Sequence, residues 1–89
     1  MVSKKIVIHH PLGLHARPAA LLVQTASRCS SDVWLINGEK CVNGKSILNI
    51  LAAAITDGTE IELRCQGERE NEDLEVLANF LENELRHSL

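Results

Sequence analysis

The residues best suited to chemistry stand together in Gly13-Leu14-His15-Ala16-Arg17-Pro18-Ala19-Ala20. A neutral imidazole is a nucleophile, and the planar fork of an arginine spreads charge from phosphoryl oxygens through paired hydrogen bonds. If His15 opens a helix, the amides of its first turn lack helical acceptors, and the dipole favours an anion there by about 0.3–1 kcal/mol. Pro18 fits such a first turn, because the amide it lacks has no helical partner anyway. A site of this kind suits taking up a phosphoryl group on a ring nitrogen and releasing it again. That transfer asks for positioning and electrostatics more than for covalent machinery. The plainer alternative is a histidine that caps the helix beside a solvated arginine.

A second candidate is Ser46, which follows Gly44 and Lys45 and opens a short apolar run. It reads as a helix N-cap. Gly44-Lys45-Ser46 also resembles the end of a nucleotide-binding loop, but G-x-x-x-x-G-K-S requires glycine at position 39, which is Glu39. Cys29, Cys41 and Cys65 form no CxxC pair and are odd in number, which predicts free buried thiols in a reducing compartment. No ligand spacing draws His9 or His10 into a zinc site, so no metal is expected. His9, His10 and His87 are expected at the surface, and Glu68 to Glu75 is expected to be a solvated acidic helix entrance.

The elements that must position these residues follow from periodicity. Lys4 to His9 is a β-former run closed by Pro11 and Gly13. From Ala16 to Arg28 the apolar positions Ala19, Leu22, Val23 and Ala26 lie on one helical face. Val33–Ile36 and Lys40–Val42 read as strands joined at Asn37-Gly38, a hairpin signal. Ser46 to Ala54 is a short helix. In Thr59 to Gln66, Ile61, Leu63 and Cys65 alternate with polar residues as in a half-buried strand. Asn71 to Leu85 carries Leu74, Leu77, Ala78, Leu81 and Leu85 at helical spacing. The order β-α-β-β-α-β-α predicts an α+β fold, an open-faced β-sandwich whose four-stranded antiparallel sheet is covered on one face by three helices.

Length and charge narrow the function. Eighty-nine residues make one expected domain, 1–89, too small for an ordinary buried cofactor cavity, so no cofactor is expected. No run approaches the eighteen or so apolar residues of a membrane span, and no signal-peptide core follows Met1 to Lys5, which predicts a cytoplasmic protein. Residues 1–45 carry six Lys or Arg against Asp32 and Glu39, a net of +4, whereas residues 46–89 carry three basic and ten acidic side chains, a net of −7. The basic half suits phosphate or an acidic partner surface. The acidic half, with one Trp, one Phe and no Tyr in the whole chain, argues against nucleic acid.

The octapeptide around His15, together with the element order over essentially the whole chain, resembles the HPr family, the histidine phosphocarriers of the sugar phosphotransferase system. The resemblance implies that His15 accepts a phosphoryl group at Nδ1 from Enzyme I and passes it to IIA proteins, with Arg17 assisting. It implies a carrier that turns over stoichiometrically rather than a stand-alone enzyme, working as a monomer. It further implies that Ser46 is the target of an HPr kinase/phosphorylase, with a catabolite-control transcription factor as a possible partner. Ala16, Ala20, Ile47, Leu48 and Leu51 would form the apolar docking patch, with Ile50 in the core. Leu12 and Ala20 depart from the small polar residues usual at those positions. Two alternatives share the resemblance, a regulatory binding protein of catabolite control and a carrier for a nitrogen-related or dihydroxyacetone-kinase route. Regulators of the first kind typically lack the active histidine, so His15 favours a carrier.

Overall fold

The computed structural model describes residues 1–87. Its elements are β1 (Val2–Val7), α1 (Ala16–Ser27), β2 (Asp32–Asn37), β3 (Lys40–Asn43), α2 (Ile47–Ala52), β4 (Glu60–Gln66) and α3 (Glu70–Asn79). A π-helical turn, Phe80–Glu84, and a 3-10 turn, Leu85–His87, continue α3. The strands form one sheet in the order β1-β4-β2-β3, and every neighbouring pair is antiparallel. The expected α+β order and four-stranded antiparallel sheet are therefore present.

Alternation decides which side of the sheet is covered. Ile6, Val33, Leu35, Ile61, Leu63 and Cys65 point inward and are buried, while Lys5, Trp34, Ile36, Glu62 and Arg64 take the other face. Leu22 of α1, Ile50 of α2 and Leu77 of α3 complete the core, each fully buried. Burying a side chain of this size contributes about 1.5–3 kcal/mol, so the sheet's inner face and the three helices stabilise one another.

Four expectations from the sequence need correcting. β1 starts and stops two residues earlier than read, since Val2 pairs with Cys65 while His9 and His10 leave the ladder. The last helix is not uniform. It widens to a π-turn after Asn79, and this wider turn keeps Phe80, Leu81 and Leu85 all on the core side. Cys41 is exposed, because it sits on the outward face of the edge strand β3 beside Ile36. Cys29 and Cys65 are buried as expected, and burial pushes the Cys65 thiol up to about 11. Finally, the acidic run at the start of α3 is not wholly solvated. Asp73 is buried and accepts hydrogen bonds from the Ser31 amide, at 3.0 Å, and from the Ser31 hydroxyl.

Those bonds tie α3 to the start of β2. Burial works against the Asp73 carboxylate, but the Ser31 hydroxyl and amide and the Cys29 thiol together hold its pKa below the ordinary value. A carboxyl lowered in the folded state contributes stability above the unfolded value and loses it as pH falls through the folded one. Wild-type stability to urea should therefore drop on acidification below about pH 4. Asp73→Ala should cost about 1–3 kcal/mol at neutral pH and flatten that acid limb, both readable from urea melts at several pH values.

Candidate functional site

The site begins with the turn that leads into α1. Gly13 has φ +59°, a conformation that suits glycine, and a Cβ there would lie 2.3 Å from the Ile55 carbonyl oxygen. The Gly13 amide donates to the His10 carbonyl at 2.8 Å, and the Leu14 amide donates to the Ile55 carbonyl at 2.9 Å. Leu14 is fully buried, so the chain is pinned one residue before the histidine.

His15 is the N-cap of α1, with extended backbone angles, φ −125° and ψ 163°. Its side chain makes no capping hydrogen bond. The ring is half-buried, neither sealed in the core nor fully in solvent. The next residue, Ala16, has φ +52°. A non-glycine residue there costs about 1–3 kcal/mol and persists only where its surroundings impose it. Here the imposing contacts are the buried Leu14 before it and the buried Pro18 and Ala19 after it.

Helix geometry leaves the first-turn amides of Ala16 and Arg17 without helical acceptors, while Pro18 removes the next donor. Among the described residues, the Arg17 side chain has no hydrogen bond or ion pair, and it is exposed. One half-buried imidazole and two unclaimed amides thus stand at a helix N-terminus, with the uncommitted, exposed Arg17 two residues further on. This set can receive a small anion beside a nucleophilic ring.

The other predicted residues are placed as follows. Ala16 and Ala20 are exposed on α1, and Ile47, Leu48 and Leu51 are 37%, 74% and 36% exposed on α2, which packs against α1. Ile50 points into the core. Ser46 caps α2, its Oγ accepting from the Asn49 amide at 3.3 Å and from the Asn49 side-chain nitrogen at 3.1 Å. The Lys45 ammonium is committed elsewhere, donating to the Cys29 carbonyl at 2.8 Å, so Gly44-Lys45-Ser46 offers no free lysine to a nucleotide phosphate. His9 and His87 are exposed as expected, but His10 is 3% exposed, a correction to the surface placement read from sequence. It turns inward because its amide donates to Asp57 Oδ1 at 3.1 Å and its ring folds back on the Leu12 amide. Sequence reading also missed the left-handed Ala16, for which no local signal exists in an alanine. No group of three or more potential metal ligands occurs among the described residues. No helix among them is long and apolar enough to cross a membrane.

Comparison with known proteins decides the family. The family model for the PTS HPr component phosphorylation site matches residues 2–83. The chain belongs to the HPr family. Among curated relatives, the HPr-like protein Crh of Bacillus subtilis (strain 168) is 47% identical over 85 residues, covering 96% of this chain and all of Crh. The phosphocarrier protein HPr of Neisseria meningitidis serogroup A is 40% identical over 81 residues, covering 91% of each. Among solved structures, HPr-C-His from Thermoanaerobacter tengcongensis superposes with a TM-score of 0.94 at 39% identity over the whole of both chains. Relatives thus include HPr proteins, which are phosphocarriers rather than catalysts, and Crh.

The tight fit around the HPr-type turn yields a direct contrast between two glycines of similar backbone angle. Gly38 has φ +62° with open space around it, so Gly38→Ala should cost about 1–2 kcal/mol from strain alone. Gly13→Ala adds a collision with the Ile55 carbonyl and should cost about 3 kcal/mol or more, measured by chemical denaturation of both variants.

Proposed function

We propose that this HPr-family chain carries a phosphoryl group on His15, taking it from Enzyme I and handing it to IIA proteins of sugar phosphotransferase systems. The observation that carries the reading is the uncapped, partly accessible imidazole at the mouth of α1, beside unclaimed amides and the uncommitted Arg17. In the forward step the Nδ1 lone pair of the neutral ring attacks phosphorus, and the donor's bond to phosphorus breaks as the nitrogen-phosphorus bond forms. Arg17 and the first-turn amides hold the phosphoryl oxygens through charge-assisted hydrogen bonds. The reverse sequence on a IIA acceptor restores His15. Ala16, Ala20, Ile47, Leu48 and Leu51 form the apolar surface on which these partners dock, with brief contact favoured by its small size.

Similarity to Crh supports a second reading, in which phosphorylation of Ser46 by an HPr kinase/phosphorylase controls docking to a catabolite-control transcription factor. Ser46 directly precedes the exposed Ile47 and Leu48, so a phosphate there sets a dianion against the docking surface. The two readings are compatible in one molecule. A monomer is the working state in both. A Crh crystal structure described as a swapping dimer, 48% identical with a TM-score of 0.73, makes the mass in solution worth measuring by light scattering.

Mixed with Enzyme I and phosphoenolpyruvate, the protein should gain an acid-labile, base-stable phosphate, and His15→Ala should gain none. Arg17→Ala should slow the labelling about a hundredfold. An unlabelled wild type refutes the carrier reading. With HPr kinase and ATP, the wild type should be modified and Ser46→Ala should not, and equal modification of both moves the site elsewhere. Ser46→Ala should also lose about 1 kcal/mol of stability with its cap, a separate measurement by thermal melting.

A further inference from the structure

His10 is the buried side chain whose cost the fold does not otherwise explain. It is 3% exposed, and its Nε2 is a buried side-chain nitrogen with no hydrogen-bond partner. A leucine would fill such a place without stranding a polar atom, so the ring's other nitrogen must account for the residue. That nitrogen, Nδ1, accepts the Leu12 amide at 3.1 Å. Around it, the His10 carbonyl accepts the Gly13 amide at 2.8 Å and the His10 amide donates to Asp57 Oδ1 at 3.1 Å. One residue thus closes the whole 10–13 turn, and Leu14 and His15 follow directly.

We infer that His10 is a positioning residue for phosphoryl transfer at His15. The inference rests on the carrier reading above. An Nδ1 that accepts a hydrogen bond carries no proton, so the ring is the neutral Nε2–H tautomer. In that form it acts as the acceptor of a side-chain turn, two residues ahead of itself, of the kind that asparagine usually makes. The exposed Leu12, 53% accessible, would otherwise leave its amide to solvent and the turn free to reopen. Holding the turn closed fixes the entry of the chain into Leu14, His15 and the left-handed Ala16. His10 touches neither phosphate nor donor, and its effect reaches the reaction only through the backbone.

Two isosteres separate this role from simple packing. Asparagine places an acceptor oxygen where Nδ1 stands, whereas glutamine places its polar end nearer Nε2, and leucine keeps bulk without an acceptor. His10→Asn should take phosphate from Enzyme I at close to the wild-type rate. His10→Gln and His10→Leu should be slowed about tenfold or more at saturating donor, with KM for the donor little changed, as expected for a misplaced nucleophile. On the wild type alone, nitrogen NMR should find the His10 proton on Nε2, and exchange of the Leu12 amide should be protected. Those two measurements stand even if the Gln and Leu variants fail to fold. A proton on Nδ1, an unprotected Leu12 amide, or wild-type rates in folded His10→Gln would overturn the inference. A wild type that takes no phosphate from Enzyme I sinks the carrier reading and this inference together, whereas a labelled wild type with an unaffected glutamine variant sinks this inference alone.

Discussion

The structure turns on a seam of backbone hydrogen bonds between residues 8–14 and residues 55–59. Ile8 donates to Thr59 and accepts from Gly58, and Leu14 donates to Ile55. These bonds are short, between 2.7 and 2.9 Å, and flanked by the fully buried Ile8, Leu14 and Ile55. A chain leaving an edge strand would otherwise be free to wander, and a wandering entry cannot deliver a helix N-terminus to a fixed place. The seam joins the approach to β4 with the approach to α1. The position of His15 is thereby referred to the centre of the sheet, since β4 lies between β1 and β2.

Strain and order are paired at this spot. Gly13 accepts a left-handed angle at little cost, but Ala16 does not, and the helix starts on a conformation that an isolated chain would avoid. The surrounding contacts hold it there: Leu14 is anchored before it, and Pro18 and Ala19 are packed after it. The result is a helix mouth whose donors are fixed before any anion arrives. Preorganisation of that kind is what phosphoryl transfer requires of a protein that supplies few reacting groups of its own.

Much of this was legible in the residues. Alternation in Glu60–Gln66 marked the central strand, the i, i+3, i+4 pattern marked α1, and His15 shortly before Pro18 marked the mouth of that helix, because all three signals are local. What escaped was set by partners distant in sequence. Asp73 looked like one more solvated acid until Ser31, 42 positions away, supplied its donors. His10 looked like a surface residue until Asp57, 47 positions away, drew its amide inward. The π-turn after Asn79 preserves the apolar spacing and changes only the hydrogen-bond step, which periodicity cannot distinguish from an ordinary helix. Ala16 carries no sign of its backbone angle, since alanine is the residue that most favours the right-handed helix.

The bare side of the sheet has a practical consequence. Trp34, the lone tryptophan of a chain without tyrosine, lies half-buried there, in register with Arg64 and Asn43 and across the sheet from every helix. Ultraviolet emission from this protein therefore comes from a single indole on the side of the β-layer away from the helix mouth. It is an optical gauge of whether the strands are assembled, and a poor witness to what happens at the His15 end of α1.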